Sequence, residues 1–272
     1  SLGRAPRSEG GLGLKGERWL TLEGMNPTAA FKDRGMTVAL SLARERGARA
    51  VVCASTGNTS ASAAGYAARA GMACFVILPE ASIARGKLAQ ALMYGARVVP
   101  IKEGFDKALE LARALASSGA AAIVNSVNPD RIQGQKTASF EIAEALGEAP
   151  DLLVLPVGNA GNITAYWMGF QEYQAAGRCR GLPKMAGFQA SGAAPIVRGR
   201  IVEHPETLAT AIKIGNPASW KPAESARDAS GGVIGEVSDA EILEAYHALA
   251  RLRSMICAPA SAAWGAGLRK LI

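Results

Sequence analysis

The chain has 272 residues, 49% hydrophobic and 19% charged, a composition that suits one large globular domain or two smaller ones. Its 30 Lys and Arg against 23 Asp and Glu give a formal charge of +7, yet aromatics make up only 6% and no basic run with interleaved aromatics occurs. Small anions are therefore expected as ligands and nucleic acid is not. No apolar run approaches a bilayer span, and Ser1 to Leu14 lacks the apolar core of a signal peptide, so a cytoplasmic protein without membrane contact is expected.

Short apolar runs alternate with helical patterns along most of the chain. "ARAVVCAS" (48–55) reads as a buried strand and "NTSASAAGYAARAG" (58–71) as a helix of small residues. "MACFVILP" (72–79) is a strand, "SIARGKLAQALMYGA" (82–96) a helix and "RVVPI" (97–101) a strand. "FDKALELARALASS" (105–118) is a helix, "AAIVNS" (121–126) a strand and "GQKTASFEIAEAL" (134–146) a helix. "DLLVLPVG" (151–158) is a strand, "NITAYWMGFQEYQAAG" (162–177) a helix and "KMAGFQAS" (184–191) a strand. "SDAEILEAYHALARL" (238–252) is a helix opened by a capping box, Ser238 with Glu241. The first 18 residues and 192–236 read as irregular. This alternation, with continuous apolar strands, predicts parallel sheet covered on both faces by helices.

In such sheets ligands sit beyond the carboxyl ends of the strands, so the residues after each strand carry the chemistry. After 48–54 comes "STGNT", Ser55 to Thr59, rich in donors at a helix start; a simple N-cap would need one of these residues, not five. After 121–124 comes "NSVNPDRIQGQKT", in which Asn125, Ser126 and Arg131 are anion ligands by type. After 151–157 comes "GNAGNIT", Gly158 to Thr164, whose backbone amides at a helix start suit a phosphate. "GLGLKG", Gly11 to Gly16, has the letters of a dinucleotide fingerprint but no strand before it and no helix after it, and reads as a loop. The four cysteines have no C-x-x-C spacing and read as reduced, buried thiols. Only two histidines, His204 and His247, are present, so neither a histidine metal site nor a Ser-His-Asp triad is expected, and no metal. Two anion sites and Lys32, set after the proline turn of "EGMNPTAAFKDRG", fit a phosphorylated aldehyde cofactor and an anionic substrate.

Four motifs in order, "NPTAAFKDRGM", "VCASTGNTSASAAGYAARAG", "VNSVNPDRIQGQKT" and "LPVGNAGNIT", resemble the threonine synthases, pyridoxal 5'-phosphate enzymes of the tryptophan-synthase-β type. The resemblance spans about Leu22 to Ala263. It implies an α/β fold of type II: two open, twisted, mostly parallel sheets flanked by helices, with pyridoxal 5'-phosphate in the cleft between a large domain (1–37 and 129–272) and a small one (38–128). By that resemblance Lys32 would hold the cofactor as an imine and act in catalysis, and Asn58 would meet its 3′ oxygen. Gly158, Asn159, Ala160, Gly161 and Asn162 would cradle its phosphate. Ser55, Thr56, Asn125, Ser126, Arg131 and Asn159 would meet the carboxylate and phosphate of O-phospho-L-homoserine, giving L-threonine and phosphate. Asp33 and Arg34 are expected to be ion-paired neighbours of the turn. A homodimer is implied. The related dehydratases, which show Ser-Ser-Gly-Asn-His in place of Ser55 to Thr59, are the alternative, with a non-catalytic anion-binding relative as a second. The sequence departs from the family at Ala29-Ala30, where Gly-Ser is usual, and at Ala258, where Glu is frequent. The large domain is expected to be incomplete at both ends, since the family continues past Ile272 to a Thr/Ser segment that partners the pyridine nitrogen.

Overall fold

A computed structural model describes residues 2–5, 17–80 and 85–272. The Gly11–Gly16 loop and the first residues of the helix read at 82–96 lie outside the described residues. The chain forms two compact units, Glu23–Gln135, and Ser1–Leu22 with Lys136–Ile272. The expected division at 38 and 128 is narrower than the first of these, because the helices on either side of it pack within that unit.

In chain order, β1 (Leu2–Ala5) and β2 (Arg18–Thr21) form an antiparallel pair that the sequence reading left irregular. The unit Glu23–Gln135 then holds α1 (Lys32–Glu45), β3 (Ala50–Ala54), α2 (Asn58–Ala70), β4 (Ala73–Pro79), α3 (Arg85–Met93), β5 (Arg97–Ile101), α4 (Phe105–Ser117), β6 (Ala122–Ile123) and α5 (Pro129–Gln135). Its four strands are parallel in the order β5-β4-β3-β6. All five residues of β3 are buried. Val51 and Cys53 pack with Met36 and Leu40 of α1 and Ala64 of α2, whereas Val52 and Ala54 pack with Ala108 and Ala112 of α4. Both faces are covered, which is why the strand reads as one apolar run with no alternation.

Helices α1 and α5 cross at glycines. A Cβ added at Gly134 would lie 2.1 Å from Arg34 O, and one at Gly35 would lie 2.7 Å from Arg131 O. The Asn128 side chain accepts from Asp130 N at the start of α5, and the helix expected at 134–146 is the end of α5 followed, after Lys136, by a second helix over Thr137–Leu146.

The second unit holds α6 (Thr137–Leu146), β7 (Leu152–Pro156), α7 (Gly161–Ala175), β8 (Lys184–Ala190), α8 (Pro195–Arg198), α9 (Trp220–Ala229), β9 (Val233–Val237), α10 (Asp239–Arg253) and α11 (Pro259–Lys270). Strands β7-β8-β9 are parallel. Phe188 of β8 is buried with Ile212, Val237, Ile242 and Ala263. Helix α11 lies so close to β8 that a Cβ at Gly267 would sit 2.1 Å from the Phe188 ring. The capping box at Ser238 and Glu241 is present in both directions. The segment 192–236, expected to be irregular, carries α8, α9 and β9. Among the described residues no helix is long and apolar enough to cross a membrane.

Candidate active site

Lys32 is the first residue of α1. The turn before it closes through Ala29 N donating to Asn26 O at 2.8 Å, which places Ala29 at φ 60. That left-handed conformation suits glycine, the residue usual at this position in the family the sequence resembles, and costs an alanine roughly 1–2 kcal/mol. At a helix start the free amides carry partial positive charge, so a lysine cation is unwelcome. Burial above all, and then Arg131 nearby, lower the Lys32 pKa from 10.5 to about 7. The side chain keeps some accessible surface, with Nζ 3.7 Å from the centroid of the Phe31 ring. At a pKa of about 7 a substantial share of Lys32 is neutral amine near neutral pH, the form that attacks a carbonyl.

Arg131 on α5 is 1% exposed. Its Nη1 donates to Val124 O at 2.8 Å, while its Nε is buried without a partner. Burial pulls its pKa down to about 10. Among the described residues no carboxylate forms an ion pair with it. A buried guanidinium without a counter-charge is costly alone and is relieved by an incoming anion.

The other expected residues of this unit gather at the carboxyl ends of β3 and β6, which are neighbours. Ser55, Thr56 and Asn58 follow β3, and Asn58 opens α2 with its Oδ1 buried and unpartnered. Ser55 Oγ accepts from Gly57 N at 3.1 Å. Asn125, 7% exposed, uses both ends of its amide on Ala54, accepting from N at 2.9 Å and donating to O at 2.8 Å. Its side chain ties the two strand ends together. Ser126 stays partly exposed beside it. Arg34 makes a two-point ion pair with Glu23, at 2.8 and 2.9 Å, as expected of a neighbour of the turn. Asp33 differs from expectation: its oxygens accept from Thr28 and Ser62, neutral donors.

In the second unit, Gly158 to Asn162 lead from β7 into α7. Val157 N donates to Phe188 O and Ile163 N to Asn162 Oδ1, and between them no acceptor is found for the amides of 158–162 among the described residues. Ala160 stands at φ 62, the left-handed member that turns successive amides into one concavity. The asparagine side chains brace the turn. Asn162 Nδ2 donates to Pro156 O at 2.7 Å, and Asn159 Oδ1 accepts from Ala218 N at 3.3 Å. Gly158 backs onto Ala211 and Ile212, where an added Cβ would lie 3.0 Å from Ile212 Cα. Five unsatisfied amides at the start of a long helix fit a phosphate, and the neutral amine of Lys32 fits an aldehyde, so the chain has the parts to hold a phosphorylated aldehyde cofactor.

One buried polar residue inside a strand escaped the sequence reading. Gln189 of β8 is fully buried; its Oε1 accepts from Ile196 N at 3.0 Å and Val197 N at 3.3 Å, and its Nε2 has no partner. A glutamine inside the apolar run "KMAGFQAS" was the visible hint. Asp33 was expected in an ion pair, and nothing local to its sequence shows that it reaches Thr28 and Ser62 instead.

Residues 2–272 match the family described as "Pyridoxal-phosphate dependent enzyme". The chain is 58% identical over 254 residues to the threonine synthase of Halalkalibacterium halodurans, covering 93% of this chain and 72% of that one. It is 50% identical over 270 residues to the threonine synthase of Methanocaldococcus jannaschii, covering 96% of this chain and 66% of that one. Among solved structures it is similar to a pyridoxal 5'-phosphate-dependent aspartate racemase, with a TM-score of 0.82 at 20% identity over 99% of this chain and 83% of that one. A threonine deaminase from Solanum lycopersicum matches with a TM-score of 0.78 at 22% identity over 93% of this chain and 70% of that one. At these identities the structural likeness shows the fold alone.

Proposed function

Because the chain belongs to the threonine synthase family of pyridoxal-phosphate dependent enzymes, we propose that it converts O-phospho-L-homoserine and water to L-threonine and phosphate. When bound, the cofactor supplies an electron sink for negative charge at the substrate's Cα. The chain's own groups do the rest. Lys32 holds the cofactor and, once its amine is free, Nζ takes the proton from Cα and moves protons at Cβ and Cγ; a pKa of about 7 suits both directions of transfer. Arg131, with Ser55, Thr56, Ser126 and Asn159, receives the substrate's phosphate and carboxylate, and stabilises the charge as phosphate leaves Cγ. Asn125 contributes by holding the carboxyl ends of β3 and β6 in place. Asn58 meets the cofactor's 3′ oxygen with an amide that has no partner within the chain at one end. The amides of Gly158, Asn159, Ala160, Gly161 and Asn162 take the cofactor's phosphate. Water then adds at Cβ.

The observation that carries this reading is the buried, uncompensated guanidinium of Arg131 in the same unit as Lys32. It is a second anion site, separate from the Gly158–Asn162 turn, and a dehydratase acting on an unphosphorylated hydroxy amino acid has no use for it. We assign 38–128 to a small domain that contacts both substrate and cofactor, and 1–37 with 129–272 to the large cofactor-binding domain. The cytoplasm is the proposed compartment, supported by the buried free thiols Cys53, Cys74 and Cys179. A homodimer is carried from the family resemblance, and sedimentation measures it.

The test supplies pyridoxal 5'-phosphate and follows two reactions. Equal release of phosphate and threonine from O-phospho-L-homoserine is expected, with little 2-oxobutanoate from threonine. The reverse pattern would favour the dehydratase reading, and neither product would favour a non-catalytic binder.

A further inference from the structure

Asp33 takes no part in the chemistry above, yet its carboxylate is among the most enclosed charged groups of its unit, at 2% exposure. Oδ2 accepts from Thr28 N at 2.7 Å. Oδ1 accepts from Thr28 Oγ1 at 2.5 Å and from Ser62 Oγ at 2.6 Å. Thr28 is 2% exposed and Ser62 fully buried, so the cluster is closed off from bulk solvent. An acidic residue in the first turn of a helix ordinarily serves that helix's own free amides. Asp33 instead reaches two other segments, and both lead to proposed site residues. Thr28 belongs to the turn that delivers Lys32. Ser62 follows Asn58 by four residues on α2, so the two side chains share one helix face.

We propose that Asp33 is a positioning residue: it locks the turn carrying Lys32 to the face of α2 carrying Asn58, and so sets where the Lys32 amine stands relative to the Asn58 amide. The inference rests on the reading of Lys32 and Asn58 as cofactor-holding residues. A carboxylate suits the task because both oxygens only accept, and all three neighbours donate. An asparagine would turn an NH2 group toward a donor. Hydrogen bonds to a buried charge are also stronger and shorter than neutral ones, which tightens the geometry they fix.

Ser62→Ala, Asp33→Asn, the double variant and Asn58→Ala are each loaded with pyridoxal 5'-phosphate. Three quantities are read: the rate at which the lysine-bound cofactor band appears, the pH at which that band titrates, and the melting temperature. Ser62→Ala should slow attachment about tenfold, the effect of one charge-assisted bond, and move the titration midpoint in the same direction as Asn58→Ala. Adding Ser62→Ala to Asp33→Asn should change both quantities by less than Ser62→Ala does alone, because the charge that strengthened the bond is already gone. An unchanged rate and midpoint in Ser62→Ala would overturn the proposal and reduce Asp33 to packing, whatever the melting temperature does. If borohydride-fixed cofactor in the parent protein maps to a lysine other than Lys32, the reading of the site falls and the clamp with it. If it maps to Lys32 while Ser62→Ala is silent, the clamp alone falls.

Discussion

A lysine at the first position of a helix is locally unfavourable, and its cost explains its use. Burial, and after it the guanidinium of Arg131, disfavour the protonated amine, and the outcome is a pKa of about 7. Between about 7 and 10.5 the unfolded chain binds a proton at Lys32 that the folded chain does not. The Lys32 contribution to stability therefore rises as pH climbs through that window in the cofactor-free protein. The rate of cofactor attachment should likewise rise with pH and level off above about 7. Arg131→Met removes a neighbouring positive charge and should shift that midpoint upward; stopped-flow absorbance across pH checks both. Backbone strain gives a second prediction at this scale. Ala160 is buried at φ 62. Ala160→Gly should gain up to about 1 kcal/mol in urea unfolding, because relief of a left-handed alanine outweighs the added freedom of glycine in the unfolded chain. Ala160→Val should lose about 2 kcal/mol or more.

At the scale of elements, the crossing of α1 and α5 is the least forgiving contact. Gly134 has Arg34 O 2.1 Å from where a Cβ would be. Gly134→Ala should lose about 2–3 kcal/mol by overpacking, measured by urea unfolding. Gly86→Ala on α3, with nothing within 4 Å of the added Cβ, should be neutral or gain up to about 1 kcal/mol. The strong elements were legible in the sequence for a physical reason. Strands such as β3 and β4 are covered on both faces and read as unbroken apolar runs, and α2, α4 and α7 were placed to within a residue or two. The missed elements lack such marks. β9, "VIGEV", has a glycine at its centre and a glutamate beside it; α9, "WKPAESARDA", has a proline in its first turn, where no amide is needed; α11 is mostly small residues. The pairing of β1 with β2 depends on residues far apart in sequence, which no local pattern encodes.

At the scale of the whole molecule, the two proposed anion sites belong to different units of the chain, Arg131 to one and Gly158–Asn162 to the other. The segments carrying Asn58, Arg131 and the Gly158–Asn162 turn stood out in the sequence because parallel sheets put function in the loops after strands, whereas Lys32 stood out by its proline turn and the family resemblance. The links among them, such as Asp33 to Ser62 and Asn125 to Ala54, span 29 and 71 residues and only folding reveals them. Separate sites should fail separately. Arg131→Met should cost roughly 30- to 150-fold in turnover or substrate affinity, the worth of about 2–3 kcal/mol for a charge-assisted contact, with little loss of bound cofactor. Gly161→Val should lose cofactor first; paired assays of cofactor content and phosphate release tell the two apart.

The account stands most directly on Lys32 as the residue that holds the cofactor. The protein loaded with pyridoxal 5'-phosphate is reduced with borohydride, digested, and its peptides are weighed by mass spectrometry. One cofactor mass on the peptide containing Lys32, absent from Lys32→Ala, is the predicted result. A cofactor mass on a different lysine, or one that persists in Lys32→Ala, would contradict it.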